Sequence, residues 1–124
     1  MSTIIASNIS DGTTSVASTY VVNGSAKAWV NFNGTGTVAI RDSLNVSSIT
    51  DNGTGTYTVN FTTAMQDANY CAVGSTIGSI DAQYATYTNS ANTALSTSSV
   101  TIEIRNSVSG SVMDQPCVNV VIFR

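Results

Sequence analysis

The 124-residue chain carries 4 Lys and Arg against 7 Asp and Glu, a formal charge of −3, with no histidine and one proline. Its basic residues Lys27, Arg41, Arg105 and Arg124 are too few and too scattered for the cationic stripe that nucleic acid or an anionic membrane demands. The missing histidine removes both the usual neutral-pH general base and the commonest metal ligand.

Residues 1–25 open the chain with Ser and Thr around scattered Ile4, Ile5, Ile9, Val16, Val21 and Val22. These apolar residues are too few to form a core. The segment is therefore expected to run as an extended arm or edge strand that needs a partner surface, for attachment or oligomerisation. Its start, MSTIIASNIS, has neither the basic nor the long apolar stretch of a signal peptide, and no apolar run approaches the ~20 residues of a membrane span. Synthesis in a cytoplasm, without export or membrane insertion, is the expectation.

From Ala26 the apolar residues recur with period two, while period 3.6 appears nowhere convincingly. Ala26, Ala28, Val30 and Phe32 share one strand face, and Trp29 points the other way between Lys27 and Asn31, so it is a second-layer core residue, an interface residue or an exposed ring. Val38 and Ile40 continue the pattern after a turn. The pentapeptide Asn33-Gly34-Thr35-Gly36-Thr37 recurs letter for letter as Asn52-Gly53-Thr54-Gly55-Thr56. Asn-Gly between alternating strands is the strongest short hairpin signal, so two consecutive hairpins are predicted, 26–32 with 37–42 and 46–51 with 56–61. No Gly-Lys-Ser/Thr follows and no helix opens behind the glycines, which argues against a phosphate loop.

Beyond Tyr70 the pattern thins. Residues 74–99 read as a short strand, about 83–88, between two long loops, the kind of place where binding functions sit. Val100, Ile102 and Ile104 alternate with Thr101, Glu103 and Arg105, and Glu103 is expected to make a solvent-facing ion pair with Arg105. The run 118–123 is apolar at nearly every position, as suits a strand covered on both sides by the domain or by another subunit.

Few residues suggest chemistry. The carboxylates Asp11, Asp42, Asp51, Asp67, Asp81, Glu103 and Asp114 form no DxD or ExxE cluster. No GxSxG elbow is present and no histidine can activate a serine or cysteine. Asp51-Asn52-Gly53 and Asp67-Ala68-Asn69 offer calcium-type oxygens, which Asx turns explain equally. Cys71 and Cys117 lack any CxxC or histidine companion, so buried free thiols on strands are expected, with a disulfide left open. Six Asn-x-Ser/Thr triplets lie in a chain with 18 Ser and 18 Thr, where chance alone gives roughly three or four, so the excess decides little, and glycosylation would need a secretory signal. Asp81, Gln83, Tyr84, Tyr87, Asn89 and Asn92 form the mix of rings and amides that stacks on sugars and bonds their hydroxyls, while cross-strand pairing accounts for the tyrosines as well. No catalytic residue, metal site or cofactor is assigned.

The run 26–70, AKAWVNFNGTGTVAIRDSLNVSSITDNGTGTYTVNFTTAMQDANY, resembles a module of tail-fibre and other virion structural proteins of tailed bacteriophages, many of them marine. There KAWVNFNGTGTVAIRDSxNVSSITDNGTGxYTVNFTTAMPDANY recurs, often after a Ser/Thr-rich lead. The match spans about 45 of 124 residues and departs at Gln66, where proline is common. The resemblance implies a virion component without enzymatic activity, a homo-oligomer with a trimer favoured, and contact with other virion proteins.

Together these readings predict an all-β antiparallel sandwich, jelly-roll-like or a meander with consecutive Asn-Gly hairpins, as a head at 26–124 behind the arm at 1–25. The expected role is a fibre- or knob-like virion subunit adhering to a host-surface glycan. Capsid decoration or a head fibre without a receptor role is the alternative, because 124 residues with no shaft are short for a complete tail fibre.

Overall fold

The period-two alternation becomes antiparallel strands stacked in two sheets. The computed structural model describes residues 1–78, 84–88 and 95–124, with 84–88 as backbone only. In chain order the elements are β1 (Asn8–Ser10), β2 (Ser15–Ala17), α1 (Ser18–Gly24), β3 (Ala26–Asn33), β4 (Ala39–Leu44), β5 (Val46–Asp51), β6 (Thr56–Phe61), β7 (Cys71–Ile77), β8 (Tyr84–Thr88), β9 (Ser99–Asn106) and β10 (Cys117–Phe123). Sheet one has the order β4-β3-β10-β7 and sheet two β5-β6-β9-β8. The protein is thus an all-β antiparallel sandwich. Both Asn-Gly hairpins form, as β3/β4 and β5/β6, and β10 inserts between β3 and β7, so neither sheet is a plain meander.

Between the sheets lie Ala28, Val30 and Phe32 of β3, Val118, Val120 and Ile122 of β10, Tyr57, Val59 and Phe61 of β6, and Val100, Ile102 and Ile104 of β9. Each large apolar side chain withdrawn from water here contributes roughly 1.5–3 kcal/mol. Phe32 meets Tyr57 edge to face at 5.2 Å, and Phe61 meets Tyr70 likewise at 5.9 Å. Burial, followed by its hydrogen bond to Asp114, raises the pKa of the Tyr57 phenol well above its ordinary value. Its hydroxyl therefore stays protonated, and its single proton is shared between Gly34 O at 2.7 Å and Asp114 Oδ1 at 2.6 Å.

A single residue carries the chain from sheet one to sheet two. Asn45, between β4 and β5, has φ 55°, a left-handed conformation that asparagine tolerates better than most side chains. Its amide nitrogen donates to Lys27 O and Thr63 O, and its Oδ1 accepts from Thr63 N at 2.7 Å. These bonds fasten the crossover to the start of β3 and to the loop after β6.

Three expectations need correction. The N-terminal segment is not extended throughout: β1 and β2 pair as a hairpin, with Ile9 opposite Val16, and α1 places Val21 and Val22 on a helix. Seven residues make barely two turns, and Ala17 supplies no side-chain cap, so neither periodicity nor capping signals this helix. Residues 71–77, read without a strand, form β7. Its inward positions hold the small Ala72, Gly74 and Thr76 while Val73 and Ile77 face out, so the usual alternation is inverted. The cysteines are free but not buried, Cys71 being exposed and Cys117 half-buried. In register with Phe123 and Ile77 respectively, they mark opposite ends of β10, about 20 Å apart, far beyond the reach of a disulfide.

Candidate functional site

The outward face of sheet one is built from the alternate positions that the core leaves over. Pairing aligns Trp29 with Leu44 on one side and Val121 on the other, and Val121 in turn with Val73. One apolar row, Leu44–Trp29–Val121–Val73, therefore crosses all four strands. Leu44 is 49% exposed and Val73 52%, while Trp29 and Val121 are half-buried. Phe123 and Cys71 flank the row, and no element among the described residues covers it. The adjacent row is polar and internally bonded: Asn31 Nδ2 donates to Asn119 Oδ1 at 2.6 Å and Asn119 Nδ2 to Ser75 Oγ at 3.3 Å. Arg41 reaches over its edge to Asn31 Oδ1 and to Pro116 O.

Sheet two turns a different surface outward. Thr50, Thr58 and Thr101 form one row and Ser48, Asn60 and Ser99 the next. Thr58 and Thr101 share a hydroxyl bond of 2.9 Å, and Asn60 Nδ2 donates to Ser48 Oγ and Thr50 Oγ1, each at 3.0 Å. Glu103 and Arg105 pair at 2.7 Å as the spacing predicts, but the pair is not solvent-facing on both sides, since Glu103 is buried.

Of the residues nominated for a sugar site, Tyr84 and Tyr87 lie on β8 in register with Asn106 and Glu103. Asp81, Gln83, Asn89 and Asn92 lie outside the described residues. The nominated attachment residues are brought close in part: Ile9 and Val16 pair across β1/β2, Val21 and Val22 follow on α1, and Ile4 and Ile5 precede the hairpin at 94% exposure each. Asp51 Oδ1 accepts from Gly53 N and Asp67 Oδ1 from Asn69 N, the Asx-turn geometry. No group of three or more His, Cys, Asp or Glu that could hold a metal occurs among the described residues, and none of their helices is long and apolar enough to cross a membrane.

A hollow of about 250 Å³ opens at one end of the sandwich, lined by Lys27, Asn45, Thr63, Met65, Gln66 and Arg124. Two of the four basic residues meet there, yet both are engaged. The Lys27 ammonium donates to Val22 O, Ser25 O and Ser25 Oγ, and the Arg124 guanidinium grips Asp67 through two nitrogens. Neither cation is therefore free to serve an anion there.

No family model, curated protein or solved structure matches the chain. The apolar row is the feature that the nominated residues missed. Its signals were the outward Trp29 and the doubly apolar run at 118–123; what the sequence lacked was the strand order that sets Val121 between Trp29 and Val73.

Proposed function

We propose that the chain is a structural subunit of a particle of the tailed-bacteriophage type, a fibre- or knob-like component that works by packing against copies of itself and not by catalysis. The observation that supports the self-packing is the uncovered apolar row of sheet one; the particle type rests on the resemblance of residues 26–70. Apolar patches of a few hundred Å² bordered by polar residues are often the functional contact surface of a protein. Low charge favours the same conclusion, because close-packed copies then repel little. The trimer and the adhesion to a host glycan rest on the resemblance and on residues 81–92. The exposed N-terminal segment also suits a capsid decoration protein, for which an apolar anchor is the whole requirement.

Light scattering of the purified chain at micromolar concentration tests the packing, with about three times the mass of the 12.8 kDa chain expected. A monomer at that concentration overturns it. Gold-labelled antibody on particles separates the two roles: label on the tail supports the fibre, label over the head supports decoration, and unlabelled particles refute both.

A further inference from the structure

We propose that the N-terminal segment of one copy lies across the outer face of sheet one of a second copy, seating side chains such as Ile4, Ile5, Ile9 and Val16 on the Leu44–Trp29–Val121–Val73 row. This inference rests on the self-packing reading and names the surfaces that meet.

Two uncovered apolar surfaces on one low-charge chain are the starting point. The first is the row; the second is the N-terminal segment, whose β1, β2 and α1 pack on one another and not extensively on the sandwich. Folding back onto its own face is disfavoured by the connection. Only Ser25 separates α1 from β3, and the Lys27 ammonium fastens Val22 O and Ser25 O beside the start of β3. That leaves no slack for the helix to turn over Trp29, two residues further on. A second copy has no such restraint.

Area supports an exchange of segments over a simple face-to-face contact. Four strands at about 4.8 Å spacing and seven residues at about 3.3 Å rise give the face an extent on the order of 400 Å². A stable interface takes about 800 Å² from each partner, so the face alone is roughly half of what is needed. When every copy gives its segment to a neighbour and receives one, each contributes both surfaces and the area approaches that size. Charge agrees: Asp11 is the only charged side chain among residues 1–25, and the face is rimmed by Lys27 and Arg41 against Asp42. A contact between unlike patches closes when each copy gives and receives once.

Cysteine cross-linking of the full chain tests this. One set of variants carries Ile4→Cys, Ile9→Cys or Val16→Cys with Cys71→Ser and Cys117→Ser. The other chain keeps Cys71 and carries only Cys117→Ser. Cys71 lies beside Val73 on the outer face and is exposed, so a segment seated on the row brings an introduced thiol within disulfide reach. After mixing, refolding and mild oxidation, mass spectrometry is expected to find a disulfide between Cys71 and at least one introduced cysteine, which can only join two copies. Adding Val121→Asp to the receiving chain should lower its yield about ten-fold or more. If light scattering shows assembly while these links are absent, or Cys71–Cys71 links dominate, the segment assignment is wrong and self-packing stands. A monomer under the same conditions overturns both.

Discussion

On sheet one the outward row is Leu44, Trp29, Val121 and Val73; on sheet two the row crossing β5, β6 and β9 is Thr50, Thr58 and Thr101. Valine and threonine have nearly the same shape and both suit a strand, so propensity does not explain the difference. A methyl in place of a hydroxyl changes what the surface wants from its surroundings. The threonine and asparagine groups outward on β5, β6 and β9 bond one another and are of the kind water solvates, so that row needs no cover. Sheet one leaves Leu44 and Val73 in water, and under the proposal something dry lies on them. The same strand geometry thus yields one polar and one apolar outer row.

The contrast breaks most sharply inside β10, where two consecutive valines serve opposite masters. Val120 is 2% exposed between the sheets and Val121 belongs to the outer row. Val120→Asp buries a carboxylate without a partner and should cost more than about 4 kcal/mol, leaving little folded protein in urea titrations followed by circular dichroism. Val121→Asp should keep the fold, with a change within about 1 kcal/mol, while light scattering shows the assembly lost. Equal loss of folding in both would erase the distinction between the faces.

A smaller effect is expected on sheet two. Thr58→Val removes the bond to Thr101 Oγ1 and the one accepted from Asn52 Nδ2, and should cost about 0.5–1.5 kcal/mol in urea without changing the oligomeric mass. A new association in this variant would sharpen the comparison further, since it would make the hydroxyl the agent that keeps sheet two single.

The smallest effect belongs to the ion pair beside the end of β10. The Arg124 guanidinium, with help from the Asn69 backbone N–H, holds the Asp67 carboxyl below its ordinary pKa. A carboxyl with a depressed folded-state pKa stabilises at pH above its unfolded value, and that contribution fades as pH falls through the lower folded one. The pair is exposed, so carboxyl NMR is the suitable measurement. Arg124→Ala should move the Asp67 titration back toward the ordinary range, and an unmoved titration would show the pair to be idle.

Much of the sandwich was legible because its hairpins are closed by local chemistry. Asn-Gly fixes where the chain turns, and the strands on either side alternate cleanly, so β3, β5, β6 and β9 fall close to their predicted bounds. The repeat itself was less informative than it looked. In the first NGTGT a side-chain carbon on Gly34 would stand 2.8 Å from the Tyr57 hydroxyl; in the second it is Gly55, at φ +67°, whose added carbon would lie 2.6 Å from Met113 N. Identical letters put the close approach at the first glycine in one turn and at the second in the other, because the loop before β10 crosses both. Such long-range contacts, like the inverted β7 and the strand order that assembles the apolar row, are written in no single stretch of sequence. The sugar-contact nominations lie on β8 and beyond the described residues, and the surface proposed to receive the attachment nominations could be named only from the strand order of sheet one.

The place of β10 also governs when the protein can come into being. Until β10 has been made, β3 and β7 have no common neighbour, and one edge of β3 keeps its backbone groups unpaired. Sheet one therefore closes only once β10 has been made, by pairing residues about ninety positions apart, the kind of distant contact that slows folding. A chain stopping short of β10 would show chaperones and proteases two unpaired strand edges, so the strand that joins β3 to β7 also decides when sheet one stops being a target for them.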